Sequence, residues 1–316
     1  MTTRIHERTQ LDPAELDEVL ALLDSASDVD GVSPVSEHVL LHLRHGGERE
    51  ARNLLAREPS GRLVGYAHLD PTDLVGGGAA ELAVHPEHRN HGIGKTLVRG
   101  LEERTDDGRL RLWAHGRLPG AQALAERLGY REARVLWQLR RSLLSGLPPV
   151  ELPDGVTLRS FVVGQDEQAW TEVNNRAFAD HPDQGGWTLR QIQTREKEPW
   201  FDPEGFLLAV REDGSIGGFH WTKIHGRGAS AAHHHGGEHA HEPIGEVYAL
   251  GVDPSMQGQR LGPALTAAGL RYLRSRGLAQ VMLYVDESNS AAVALYERLG
   301  FTRWDVDVNY RRPASR

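Results

Sequence analysis

The feature that most constrains this chain is a pattern that occurs twice. Residues Ile244 to Gly262, IGEVYALGVDPSMQGQRLG, open with an apolar strand from Val247 to Val252, with Glu246 at its entry. Asp253-Pro254 ends that strand, because proline lacks an N–H for the ladder and restricts the residue before it. A glycine-spaced loop follows, then an amphipathic helix that begins at Leu261 with Pro263 in its first turn. Residues Glu81 to Gly94, ELAVHPEHRNHGIG, repeat the arrangement: Pro254 follows Pro86 by 168 residues, as Val252 follows Val84 and Gly262 follows Gly94. Further on, YERLGF at 296–301 repeats AERLGY at 125–130, with Gly300 following Gly129 by 171 residues. Two signatures at nearly one offset imply a duplicated domain. In each copy, strand, polar loop and helix start leave backbone N–H groups unpaired where the helix dipole favours an anion, a phosphate-binding geometry.

A length of 316 residues suits two domains. No apolar run approaches the roughly 20 residues needed to cross a bilayer, and MTTRIHERTQ lacks the apolar core of a signal peptide. A cytoplasmic location is expected. The chain contains no cysteine, which excludes disulfides, thiolate metal ligands and a cysteine nucleophile. A formal net charge of −8 argues against a nucleic-acid-binding surface. An anionic cofactor must then be held by backbone N–H groups and a few local cations.

The chain in order supports an α/β class, an α+β mixed sheet in two tandem domains. Helices are expected from Asp12 to Ala26, where Asp12 caps and Pro13 suits the first turn, and through Val39, Leu40 and Leu43. Strands at Ala51–Ala56, Leu63–Leu69 and Glu81–Val84 precede a helix through Leu97, Val98 and Leu101. A strand at Leu110–Ala114, a short helix ending at Gly129 and a strand through Leu139 complete the first half. The second half repeats this order: a strand at Val156–Phe161, helices at Gln165–Phe178 and Leu189–Glu196, and strands at Phe206–Val210 and Ile216–Ile224 precede the second loop. The helix from Leu261, a strand at Ala279–Val285, a helix at Ser290–Leu299 and a strand at Trp304–Tyr310 follow it. Between them SLLSGLPPVELPDG gathers prolines and glycines without periodicity, giving domains at 1–142 and 156–316 joined by a linker at 143–155.

The element order and the R/Q-x-x-G-x-G/A loop resemble the GNAT family of acetyl-CoA-dependent N-acetyltransferases. The first copy fits as Arg89, Gly92 and Gly94; the second keeps Gln257, Gly258 and Gly262 but has Arg260 where the middle glycine is usual. Longer blocks, among them DGVSPVSEHVL, VNNRAFADHPDQGGW, EPWFDPEGF, GFHWTK and GEVYALGVDP, cover nearly the whole chain and are similar to the mycothiol synthases. Those tandem GNAT enzymes transfer acetyl from acetyl-CoA to the cysteine amine of desacetylmycothiol, a cysteinyl-glucosaminyl-inositol. The resemblance therefore implies acetyl-CoA as donor, no metal, a small-molecule acceptor, no nucleic-acid or membrane partner, and a monomer.

Acetyl transfer to an amine needs a held thioester, a polarised carbonyl, a base for the ammonium proton and an acid for the departing thiolate. Without cysteine no acetyl-cysteine intermediate can form, so direct transfer is expected. Tyr296 sits where GNAT enzymes place the tyrosine that protonates the thiolate, and its first-copy equivalent is Ala125. Glu246 is the candidate base, and its equivalent at the 168 offset is Gly78. The first half is thus expected to bind acetyl-CoA, or to support the fold, without chemistry. Other readings of these side chains are ordinary: a tyrosine in a helix often packs its ring, and a glutamate opening a strand is usually a solvated edge residue.

For the cofactor, Leu82, Ala83 and Val84, and Leu250, Gly251 and Val252, would offer strand N–H and C=O groups to the pantetheine arm and acetyl carbonyl. The pyrophosphate would be wrapped in one copy by Arg89, Asn90, His91, Gly92, Ile93 and Gly94. In the other it would be wrapped by Gln257, Gly258, Gln259, Arg260, Leu261, Gly262 and Pro263. Asn289 resembles a family asparagine that contacts cofactor, with Ser290, Ala291, Ala292, Val293 and Ala294 following on the last helix; it also reads as an N-cap. The resemblance assigns Glu37, Asp183, Lys223, Glu246 and Tyr284 to the acceptor, whose ammonium and hydroxyls need fixed donors and acceptors.

Two further functions remain open on the residues alone: N-acetylation of another small amine, and a non-catalytic acetyl-CoA-binding regulatory module. The histidine tract HHHGGEHAH, His233 to His241, has metal-binding composition, yet interleaved glycine and alanine favour a flexible insertion.

Overall fold

The computed structural model describes residues 3–46, 50–71, 77–105, 109–179, 185–225 and 243–313. The first half runs β1 (Arg4–Arg8), α1 (Pro13–Asp30), α2 (Glu37–His45), β2 (Arg52–Arg57), β3 (Leu63–Asp70), β4 (Ala79–Val84), α3 (Ile93–Glu102), β5 (Arg111–Ala114), α4 (Pro119–Arg127) and β6 (Arg131–Ser142). The second repeats that order as β7 (Val156–Ser160), α5 (Glu167–Ala177), α6 (Leu189–Arg195), β8 (Phe206–Arg211), β9 (Ile216–His225), β10 (Ile244–Val252), α7 (Leu261–Ser275), β11 (Gln280–Asp286), α8 (Ser290–Arg298) and β12 (Thr302–Arg311). The duplication read from two short signatures extends to every helix and strand. Among the described residues, no helix is long and apolar enough to cross a membrane.

Two compact units result. Unit 1 comprises Met1–Trp137, Asp286–Ser288 and Asp305–Arg316; unit 2 comprises Gln138–Val285 and Asn289–Trp304. In unit 1 the strand order is β1-β2-β3-β4-β5-β12, with the β4/β5 pair parallel and the β5/β12 pair antiparallel. In unit 2 the order is β6-β11-β10-β9-β8-β7, with β10/β11 parallel. Segment 143–155 carries no helix or strand, but Leu143 is buried, its N–H donates to the Ala279 carbonyl at 2.8 Å, and the Pro148 carbonyl accepts from Arg271 at 2.9 Å.

Local chemistry explains the ends of these elements. Asp12 caps α1 by accepting from the Glu15 N–H at 2.8 Å, while the Glu15 carboxylate accepts in turn from the Asp12 N–H. Gly129 and Gly300 follow α4 and α8 with φ of 79° and 81°, the left-handed conformation that closes a helix without Cβ strain. The cores follow the faces: Leu97, Val98 and Leu101 of α3 pack on β2–β5, and Trp170 of α5 packs among Phe206, Phe219 and Trp221 of β8 and β9.

Three expectations change. β1 was not foreseen, because RIHER alternates charge with little apolar signal. β10 begins at Ile244, not Val247, so Glu246 lies inside the strand and is 7% exposed. The solvated-edge reading of Glu246 is thereby excluded. The third change concerns register. β3 and β4 pair without interruption from Gly65↔Val84 to Asp70↔Ala79, whereas β9 and β10 slip between Val247 and Ala249, leaving Tyr248 as an extra residue. Such a β-bulge re-aims side chains. Counted through it, the unit 1 position that matches Glu246↔Lys223 is Ala79↔Asp70, one residue beyond the Gly78 that a constant offset selects. Neither Gly78 nor Ala79 carries a carboxylate, and Asp70 stands where unit 2 has Lys223.

α7 packs so closely on β9 that a Cβ on Gly269 would lie 2.1 Å from the His220 ring. That ring is fully buried and donates from Nδ1 to the Leu265 carbonyl at 2.7 Å; burial lowers its pKa to about 4 and keeps it neutral. Gly269→Ala, which in an exposed helix would add about 1 kcal/mol of stability, should here cost about 1–3 kcal/mol by overpacking. Thermal or urea unfolding checks the sign, and a gain in stability would contradict this packing.

Candidate functional site

The two loops reach one backbone path with different residues. After each strand comes a short 3-10 turn, Pro86–His88 or Pro254–Met256. Two left-handed residues follow at matching places: Asn90 (φ 65°) and Gly92 (φ 83°) in unit 1, Gly258 (φ 79°) and Arg260 (φ 61°) in unit 2. Arg260 thus adopts the conformation that the missing glycine would have had, at a cost of order 1 kcal/mol. Each pair exchanges which position holds glycine. In unit 1 the first helical bond runs from the Thr96 N–H to the Gly92 carbonyl, so the Ile93, Gly94 and Lys95 N–H groups precede the ladder; in unit 2 it runs from Ala264 to Arg260, and Pro263 removes one of three such donors.

The Arg89 guanidinium is engaged within unit 1. It forks onto Asp30 at 2.7 and 2.8 Å and donates to the Val84 carbonyl at 3.2 Å, fastening the loop to α1. Unit 2 fastens its loop through Asp253, which accepts from Arg176 at 2.8 Å and from the Ser255 N–H at 3.0 Å. Neither Asp30 nor Arg176 was singled out in the sequence, since each is remote from the loop it holds. Asn289 accepts from the Ala292 N–H at 3.1 Å and so caps α8, the helix of Ser290 to Ala294.

Two of the side chains singled out in the sequence, Glu246 of β10 and Lys223 of β9, stand opposite each other in the ladder. Glu246 pairs across the ladder with Lys223 on one side and with Met282, two residues before Tyr284, on the other. His225 Nε2 lies 2.7 Å from Glu246 Oε2. Lys223 is buried with Nζ 4.3 Å from the centroid of the Trp200 ring and 5.3 Å from that of Tyr248, a cation–π placement. Arg195 orients the Tyr248 hydroxyl at 2.7 Å and stacks on Trp187 at 4.2 Å. Burial alone would raise the Glu246 pKa; the hydrogen bond and charge of His225, with the charge of Lys223, outweigh it and lower it. The carboxylate is therefore ionised and able to accept a proton. Tyr284 is 43% exposed and its hydroxyl accepts from Gln138 at 2.9 Å. His225 escaped the sequence reading because it lies one residue beyond the expected end of its strand at Ile224; its alternation with Lys223 along one strand face was the available signal.

Tyr296 lies on α8 with its ring 5.6 Å from Phe301, and burial raises its pKa to about 12. It packs and stays protonated. Glu37 opens α2 in unit 1. Asp183 and the tract 233–241 lie outside the described residues.

Comparison with known proteins follows this geometry. A model of the acetyltransferase (GNAT) family matches residues 168–301, and one of an acetyltransferase (GNAT) domain matches residues 50–132. The chain is 56% identical over 311 residues to the mycothiol acetyltransferase of Acidothermus cellulolyticus, covering 98% of this chain and 94% of that one. It is 50% identical over 348 residues to that of Streptosporangium roseum, covering 99% and 100%. The chain belongs to the mycothiol acetyltransferase family. It is an acetyl-CoA-dependent N-acetyltransferase. A GCN5-related N-acetyltransferase from Sphaerobacter thermophilus matches with a TM-score of 0.66 at 27% identity, covering 98% of this chain and 97% of that one. A tandem GNAT protein from the clavulanic acid biosynthesis pathway, at 19% identity and a TM-score of 0.69 over 100% of both chains, shares the fold.

Unit 1 uses the middle of its β4 differently. Glu81 accepts from the Ser36 N–H at 2.5 Å and from its hydroxyl at 2.8 Å, and lies 3.3 Å from His115 Nε2. His115 Nδ1 lies 3.0 Å from Asp307, which also accepts from the Gly116 N–H at 3.0 Å. Burial would lower the His115 pKa, but Asp307 and Glu81 raise it to about 10; burial would raise that of Glu81, but His115 and Ser36 lower it to about 2. Glu81, the one carboxylate on β4, is thus consumed in structure. The imidazolium contributes stability that is complete below pH 6.5 and lost as pH rises through about 10. The Glu81 contribution is present above pH 4.5 and lost as pH falls through about 2. His115→Gln should remove the alkaline loss and cost about 3–5 kcal/mol at neutral pH. Urea unfolding across that range measures both, and an unchanged alkaline slope would contradict the assignment.

Proposed function

We propose that this protein transfers acetyl from acetyl-CoA to the cysteine amine of desacetylmycothiol, giving mycothiol and CoA, with the chemistry in unit 2. The observation that carries the proposal is the buried, ionised Glu246 between Lys223 and His225, in the copy that also has Tyr296. The relatives' names support the acceptor. Glu246 takes the proton from the acceptor ammonium, directly or through water. The freed amine attacks the thioester carbonyl, the C–S bond breaks, the CoA thiolate takes the Tyr296 proton, and the second proton shed by the attacking nitrogen restores the Tyr296 phenol. A tyrosine held protonated by burial suits that second role. Leu250 to Val252 and the loop to Pro263 hold acetyl-CoA, with Asn289 to Ala294 alongside, and His225 keeps the Glu246 carboxylate oriented.

The half at 1–142 holds a second acetyl-CoA through Leu82 to Val84 and the loop to Gly94, without chemistry, and segment 143–155 joins it to the catalytic half at 156–316. What supports this is the intact glycine loop beside Ala125 and Ala79, which supply neither acid nor base. Glu37, Asp183, Lys223 and Tyr284 contact the acceptor.

Release of CoA thiol should be fast with the cysteinyl-glucosaminyl-inositol and slow with simpler amines. Tyr296→Phe should lower kcat by about 10²–10⁴-fold, the usual weight of a general acid, with acetyl-CoA binding nearly unchanged. Normal turnover with weakened binding would refute the acid role, and equal rates with all amines would refute the acceptor.

A further inference from the structure

We propose that Arg141 of β6 is a positioning residue for Tyr296, a role that rests on Tyr296 being the proton donor. α8 closes with a Schellman motif in which Tyr296 is the third helical residue from the end. The Phe301 N–H donates to the Tyr296 carbonyl at 3.0 Å, and the Gly300 N–H donates to the Glu297 carbonyl at 2.9 Å. The apolar contact that accompanies such a motif is the Phe301 ring against the Tyr296 ring, 5.6 Å between centroids. The position of this turn therefore sets the position of the phenol.

The carbonyl of Leu299, which caps α8, lies beyond the helical ladder and needs a donor from elsewhere. Arg141 supplies it. Its Nη1 donates to the Leu299 carbonyl, its Nη2 to the Gly146 carbonyl at 3.2 Å and its Nε to the Ser142 carbonyl at 3.1 Å. The guanidinium carbon lies 5.9 Å from the centroid of the Phe301 ring. Arg141 is only 8% exposed, and a charge so buried is retained only where its donors are matched. A cation at a helix C-terminus is also favoured by the helix dipole. One side chain thus ties the end of α8 and the ring behind Tyr296 to β6.

Unit 1 contains the same device without the acid. The Tyr130 N–H donates to the Ala125 carbonyl at 2.9 Å and the Gly129 N–H to that of Glu126 at 3.0 Å, closing α4 as α8 is closed. Arg312 Nε donates to the Leu128 carbonyl at 3.2 Å, with the guanidinium carbon 5.1 Å from the centroid of the Tyr130 ring. Arg312 follows Arg141 by 171 residues, as Leu299 follows Leu128 and Phe301 follows Tyr130. Each arginine therefore comes from one repeat and closes the helix of the other, with Arg141 falling in unit 2 and Arg312 in unit 1. The repeat alone would pair Arg141 with Leu128, so the sequence hid a contact that spans 158 residues.

A double-mutant cycle in the full chain tests the role. Arg141→Met keeps the length of the side chain and removes its donors. It should lower kcat about 10- to 100-fold, the scale of a misplacement of about 1 Å, with KM for acetyl-CoA nearly unchanged. In a Tyr296→Phe background the same change should lower kcat by about 2-fold at most, because no proton donor remains to be placed. Arg141→Lys, which keeps the charge and a donor, should recover part of the loss and carries the same cycle if the Met variant does not fold. Arg312→Met makes the equivalent change beside Ala125 and should leave kcat unaltered. Equal losses in the two backgrounds, or equal losses from Arg141→Met and Arg312→Met, would show a role in stability alone and overturn the proposal. An unaltered kcat in Arg141→Met would do the same. Normal turnover of Tyr296→Phe by itself would overturn the acid reading, and this proposal with it.

Discussion

The arrangement of unit 2 depends on one extra residue in β10. Strand side chains alternate between faces with period two, so a single insertion inverts every residue beyond it. Without Tyr248 as that insertion, alternation from Ala249 would turn Val247 toward the aromatic cluster and Glu246 toward α7. With it, Glu246 stands opposite Lys223 and within reach of His225, while Gly245 meets Leu273 of α7 across a gap too narrow for a Cβ. Tyr248 also completes the wall that holds the Lys223 ammonium. Register and electrostatics are thus one device: the slip brings a carboxylate beside an imidazole and an ammonium, and those groups keep it ionised despite burial.

Unit 1 shows the same topology without that device. Its β4 has no slip, Ala79 occupies the corresponding place, and the nearby Glu81 is enclosed by Ser36 and His115. Yet its loop keeps the fuller set of helix-start N–H groups, because Lys95 stands where unit 2 has Pro263. Duplication therefore left the same loop conformation in both copies and divided the remaining features unequally. The loop tolerates substitution because its requirement is conformational: two left-handed residues, met by Asn90 and Gly92 or by Gly258 and Arg260.

Much of this was legible in the sequence. The repeat, the caps at Asp12 and Gly129, and the apolar stripes on α1, α3 and α7 are local signals, and they fixed fold class and element order. Tyr296 and Glu246 were singled out by the family resemblance together with the comparison of copies. Partners distant in sequence were not legible: Asp30 holding Arg89 and Arg176 holding Asp253 exist only once helices pack. A constant offset also hid the bulge, since Gly78 and Ala79 differ by the one residue that only hydrogen-bond register reveals. β1 failed for a simpler reason: its charged sequence pairs at a sheet edge, where burial demands little.

The central claim is that unit 2 activates the amine through Glu246. It is tested most directly by the pH dependence of kcat/KM for acetyl-CoA-dependent turnover in Glu246→Gln beside the unaltered chain. The account predicts that the acid limb due to the carboxylate disappears and that the rate falls by about 10²–10⁴-fold, with acetyl-CoA affinity retained. An unaltered limb and rate would contradict it.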